Sequence, residues 1–121
     1  MDEFAFKELK VWHKALEFAQ MVIMTTEELN SDKKHFRLIE QIEACAASIS
    51  MNIAEGKGRY SKKEFIHYLY IARGSIFETV SLLNLFHKLS WIDNSKLEKL
   101  EISASEIGKM LNGLINSIKN N

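Results

Sequence analysis

Apolar residues recur along this chain at three- and four-residue intervals, and four such stretches account for nearly all of it. In the first, Leu9, Trp12, Leu16, Ala19 and Ile23 make one stripe. Val11, Ala15, Phe18 and Val22 make a second, about 100° further round the helix. The second stretch places Ile39, Ile42, Ala46, Ile49 and Ile53 on one line, with the polar residues Gln41, Ser48, Asn52 and Glu55 beside it. In the third, Phe65, Tyr68, Leu69, Ala72, Ile76, Thr79, Leu83 and Phe86 form the inner face, while Ile66, Tyr70 and Phe77 fall together on the opposite side. The fourth has a clean line through Leu97, Leu100, Ala104, Ile107, Leu111, Leu114 and Ile118. Its other side, Glu98, Glu101, Ser105, Lys109, Asn112 and Asn116, is expected to face water.

Punctuation between the stretches sets their limits. Glu28-Leu29-Asn30-Ser31-Asp32 and Ser90-Trp91-Ile92-Asp93-Asn94 read as turns, and Gly56 reads as a left-handed helix stop. Ser61-x-x-Glu64 and Ser95-x-x-Glu98 have the form of capping boxes, which satisfy free N–H groups at a helix start. The expected helices cover about 7–28, 34–55, 62–89 and 95–119. Their short connections suit antiparallel neighbours, so the predicted fold is all-α, an up-down-up-down four-helix bundle forming a single domain over residues 1–121.

The absence of proline and a count of only 5 glycines favour long helices. Apolar residues make up 46% of the chain, enough for one core. One cysteine, Cys45, excludes an intrachain disulfide and fits a reducing compartment. No apolar run reaches membrane-spanning length, and Met1-Asp2-Glu3-Phe4 lacks the basic start and apolar core of a signal peptide; the cytoplasm is the expected location.

Lys plus Arg and Asp plus Glu both number 16, so nucleic-acid binding would need a local patch. The candidate is the turn into the third helix, where Lys57, Arg59, Lys62 and Lys63 gather beside a helix N-terminus that favours anions. The plainer reading is a solvated turn capped by Ser61 and Glu64. Gln41, Ser48, Asn52, Glu55, Ser75 and Glu78 are expected to form a polar network between the second and third helices, fixing their register rather than performing catalysis. Leftover apolar surface on the first and third helices points to self-association through Ile66, Tyr70, Phe77, Val11 and Phe18, against bulky helix-edge residues as the alternative. Tyr70 and Phe77, near Arg73, also suit stacking on single-stranded nucleic acid. Glu64-x-x-His67 has the spacing of a carboxylate-bundle metal pair, but its sole echo is Asp32-x-x-His35, so no metal or other cofactor is expected. His13, His35 and His87 are scattered and assemble no catalytic set.

Several blocks in sequence resemble the 23S rRNA intervening-sequence protein family. They are Phe6-Lys7-Glu8-Leu9-Lys10-Val11-Trp12-His13-Lys14-Ala15, Leu38-Ile39-Glu40-Gln41-Ile42, Ser48-Ile49, Asn52-Ile53-Ala54-Glu55-Gly56, Gly58-Arg59, Glu64-Phe65, Tyr68-Leu69, Ile71-Ala72-Arg73-Gly74-Ser75 and Glu78. The resemblance covers the first three helices; the fourth contributes only its heptad pattern. It implies a small bacterial helical bundle that assembles into a ring-like homo-oligomer, a pentamer; family members are encoded within insertions in ribosomal RNA genes or stand alone in genomes, and their biochemical role is poorly defined. A similar fold serves as the accessory protein of diversity-generating retroelements, which binds a reverse transcriptase and nucleic acid. The chain departs from the family pattern at Glu43 and Ala44, where members carry arginines, and lacks their prolines near Met51 and in the first loop. The expected function is a non-enzymatic scaffold associated with structured RNA or a nucleoprotein. The alternative is a protein–protein assembly module without nucleic acid.

Overall fold

The computed structural model describes residues 3–29 and 35–121. A short 3₁₀ turn, Ala5–Glu8, leads into four α-helices: α1 (Lys10–Glu27), α2 (Phe36–Lys57), α3 (Lys62–Lys88) and α4 (Asn94–Lys119). Each helix packs against two others, α1 on α2 and α4, and α3 on α2 and α4, giving the four-helix bundle expected from periodicity. No described helix is long and apolar enough to cross a membrane. The expected start of the second helix at residue 34, and Asn30, Ser31 and Asp32 of the first turn, lie outside the described residues.

Every helix gives one face to a common core. Phe18, Ile42, Ile49, Ile53, Leu69, Leu83, Phe86, Leu100, Ile107 and Leu111 are its largest wholly buried members. On α1 the buried apolar residues are Val11, Ala15, Phe18 and Val22 of the second stripe, with only Ala19 from the Leu9–Ile23 stripe; Leu16 is exposed and Trp12 only partly covered. Val11 and Phe18 therefore cannot be surface contacts for another subunit. Phe18 has no exposed area, and Ala15 and Ala19 on the same helix are buried with it.

Three boundaries also differ from expectation. The first helix begins at Lys10 because Leu9 is extended (φ −79°, ψ 121°) and residues 5–8 wind as a separate turn. That turn is held by Nε2 of His13, 2.6 Å from the Lys7 carbonyl oxygen, and by Phe6 edge-on to Trp12. The second helix runs through Gly56 to Lys57, and neither Gly56 nor Gly58 has a positive φ. Gly56 is required by proximity instead: a Cβ there would lie 2.8 Å from the Cβ of Tyr68 and 3.2 Å from the Phe65 carbonyl oxygen on α3.

The fourth helix is capped by Asp93, whose carboxylate accepts from the Lys96 N–H at 2.8 Å, so Ser95 lies inside the first turn and is not the cap. Ser61 caps α3 as expected, accepting from the Glu64 N–H at 3.1 Å. At its other end α3 closes through Ser90 in the left-handed region (φ 64°). The Ser90 N–H donates to the His87 carbonyl, the Trp91 N–H donates to that of Phe86, and the Trp91 and Phe86 rings pack 4.9 Å apart. Those two bonds and that contact make a Schellman closure without glycine.

Candidate functional site

The α2–α3 seam carries the polar residues singled out by periodicity, but only some of them meet. The Ser48 and Ser75 hydroxyls are 2.6 Å apart, and each also reaches a carbonyl of its own helix, Cys45 and Ile71 respectively. Asn52 donates to the Ser48 carbonyl at 2.8 Å, and Thr79 donates to that of Ser75. The Cys45 thiol joins from the α2 side, donating to Glu78 Oε2 at 3.4 Å. Burial, followed by the hydrogen bond and charge of Glu78, pushes the Cys45 pKa up to about 11. A thiol so protonated is a weak nucleophile. Gln41 is exposed and stands outside this network, and Glu55 turns instead to the basic turn. Among the described residues no buried side-chain nitrogen or oxygen lacks a partner.

At the basic turn the four cations do not act as a set. Arg59 pairs with Glu55 at 3.0 Å, donates to the Tyr68 hydroxyl at 2.7 Å and lies 4.9 Å over the Tyr68 ring. The Glu55 carboxylate already neutralises its guanidinium, which therefore offers little to an incoming phosphate. Lys57 sits 5.8 Å over the Phe65 ring, and Lys62 donates to the carbonyl of Asn121, two residues past the end of α4. Lys63 is exposed.

A second concentration of cations lies along the α3–α4 flank. Lys119 is 3.1 Å from the Tyr70 hydroxyl and 5.6 Å over its ring; Arg73 is 5.6 Å over the ring of Phe77. Arg73 and Phe77 also line an open groove of about 400 Å³. Its α4 wall is Glu101, Ala104, Ser105, Gly108, Lys109 and Asn112, and Ile76 and Val80 line the α3 side. Tyr70 and Phe77 are 43% and 63% exposed, whereas Ile66 is partly buried against the core.

A family model described as 23S rRNA-intervening sequence protein matches residues 7–113. The chain belongs to that family. Among solved structures, a protein with unknown function from the S23 ribosomal protein family of Bacteroides thetaiotaomicron aligns with a TM-score of 0.80 and 31% identity, covering 87% of this chain and 97% of that one. No curated protein matches. The family match runs well into α4, beyond the three helices whose motifs are legible by eye. Neither description assigns a reaction, and the described residues contain no cluster of three or more potential metal ligands.

Within this 23S rRNA-intervening sequence protein family member, the two positions that depart from the family pattern, Glu43 and Ala44, do different things. Glu43 is half-buried and accepts from the Thr26 hydroxyl at 2.5 Å, tying α2 to α1; Ala44 is exposed. Sequence reasoning missed the Thr26–Glu43 bond, the Cys45–Glu78 bond, the Lys119–Tyr70 contact and the place of Lys109 on the groove wall. Lys109 and Asn112 carried a signal, since both lie on the polar side of the fourth heptad line, but the sequence did not say which neighbour that side flanks.

Proposed function

We propose that this chain is a non-enzymatic helical scaffold that associates with RNA or a nucleoprotein. The observation carrying the reading is that a chain of zero net charge gathers Lys62, Arg73, Lys109 and Lys119 along one flank, around the exposed rings of Tyr70 and Phe77. Lys57 and Lys63 extend the positive surface round the start of α3. Such a patch neutralises phosphates and gives affinity that is salt-sensitive and tolerant of sequence.

Self-association is the second reading, favoured by the exposure of Tyr70 and Phe77 beside half-buried Ile66. A ring of copies, as the family resemblance implies, would repeat a weak phosphate site and raise its avidity. The two readings part in one experiment: filter binding of a structured RNA at several salt concentrations, with light scattering on the same protein. Binding that weakens steeply with salt supports RNA association, and no binding at low salt rejects it. A mass of one chain at every protein concentration rejects self-association.

A further inference from the structure

We propose that the α3–α4 groove binds single-stranded nucleic acid, with bases stacked on Phe77 and Tyr70 and phosphates held by Arg73, Lys109 and Lys119. This deepens the RNA reading above and rests on it, but it moves the contact from the basic turn to a different face of the bundle.

The two rings are seven residues apart on α3, about 10.5 Å along the axis, and both stand on the α4 side of the helix. Aromatic platforms accept any base, because every base has a π-face. Between the helices the groove is open rather than filled. A Cβ on Gly108 would meet nothing within 4 Å, and Ala104 on the same wall carries only a methyl. At about 400 Å³ it falls within the roughly 300–1,000 Å³ range of sites that hold small organic groups. The Asn112 amide and the Ser105 hydroxyl on its wall supply the donors and acceptors a base edge needs.

Charge decides which occupant fits. Three cations border the rings and groove, and the only acidic residue among the described lining, Glu101, accepts from the Asn84 amide at 2.9 Å. The cores of protein–protein interfaces are depleted in lysine, whereas a polyanion is drawn to a positive groove. A second copy of the chain would have to bury Lys109 and Lys119 against its own surface. A nucleic-acid strand would neutralise them.

The test is fluorescence anisotropy of a labelled oligouridine titrated with the wild-type chain and three variants, with light scattering on each. Phe77→Leu keeps apolar bulk and removes the ring; at 63% exposure it leaves the core intact. It is expected to weaken binding about tenfold. Lys109→Ala/Lys119→Ala is expected to lower the slope of log affinity against log salt by about 1.4, or 0.7 for each phosphate no longer neutralised. Lys57→Ala/Lys63→Ala, at the turn, is expected to change affinity by less than either. If the turn variant alone abolishes binding, RNA association stands and the groove assignment is overturned. If wild-type protein binds no oligouridine or structured RNA at low salt, both fall. If Phe77→Leu changes the oligomeric mass and leaves RNA affinity intact, the groove is a subunit contact and the proposal fails.

Discussion

Gly56 on α2 and Tyr68 on α3 touch so closely that a Cβ added to the glycine would stand 2.8 Å from the tyrosine Cβ. Glycine is there because two helix backbones converge, and α2 passes through it without a break. In an open helix, alanine would gain about 1 kcal/mol over glycine. Here the overlap with Tyr68 and the Phe65 carbonyl is expected to reverse the sign, so that Gly56→Ala lowers stability by about 1–3 kcal/mol in urea unfolding. Gly58→Ala is the control. Its Cβ would meet nothing closer than 3.6 Å, at an ordinary φ of −80°, and it is expected to be neutral or slightly stabilising. Equal effects at the two sites would remove the close-approach explanation.

Ser90 holds a left-handed conformation that costs a side-chain-bearing residue about 1–2 kcal/mol. Ser90→Gly relieves that strain and gives back part of the gain as extra freedom in the unfolded chain. A net stabilisation of about 0.5–1 kcal/mol is expected, read from the denaturation midpoint. Destabilisation would mean that the Ser90 side chain contributes something beyond the Schellman closure.

Asp93 and Ser95 offer another contrast. Asp93→Ala removes the acceptor for the Lys96 N–H and is expected to cost about 1 kcal/mol. Ser95→Ala, inside the first turn of α4, should cost little or even stabilise through better helix propensity. The reverse ranking in thermal unfolding would restore Ser95 as the cap.

Periodicity is enough for the bundle, the Ser61 cap and the core lines of α2, α3 and α4, because buried residues must recur at the helical repeat wherever one face is covered. It fails on α1, where two apolar stripes lie side by side. Nothing local says that Val11 and Phe18 face inward while Leu16 faces out, since that depends on where α2 and α4 lie. Gly56 escapes the same reasoning for a related cause: a glycine near a helix end usually terminates it, and only the approach of α3 gives this one a different use. Of the candidate site, Ser48, Ser75, Asn52 and Glu78 do lie on one seam, while Gln41 and Glu55 point away from it. The basic turn is visible as composition, but the capture of Arg59 by Glu55 and Tyr68 is not, because the Tyr68 contact crosses between helices.

Cys45 is expected to react slowly. With its pKa pushed from 9.0 to about 11, by burial first and Glu78 second, roughly a hundredfold fewer thiolates are present near pH 8 than for an unperturbed thiol. Alkylation by iodoacetamide should therefore accelerate up to about pH 11 and rise sharply on unfolding. Glu78→Gln removes the charge contribution, lowering the pKa and speeding the reaction at pH 8. A rate equal to that of the unfolded chain at pH 8 would contradict this environment for Cys45.

Photo-crosslinking of the intact chain to a 4-thiouridine-substituted single strand, followed by peptide mapping, locates directly where a nucleic-acid strand meets the bundle. Adducts on Tyr70, Phe77 or the α4 segment bearing Lys109 and Asn112 are the predicted result. Adducts confined to residues 57–63, or none at low salt where wild-type protein is in excess, would contradict it.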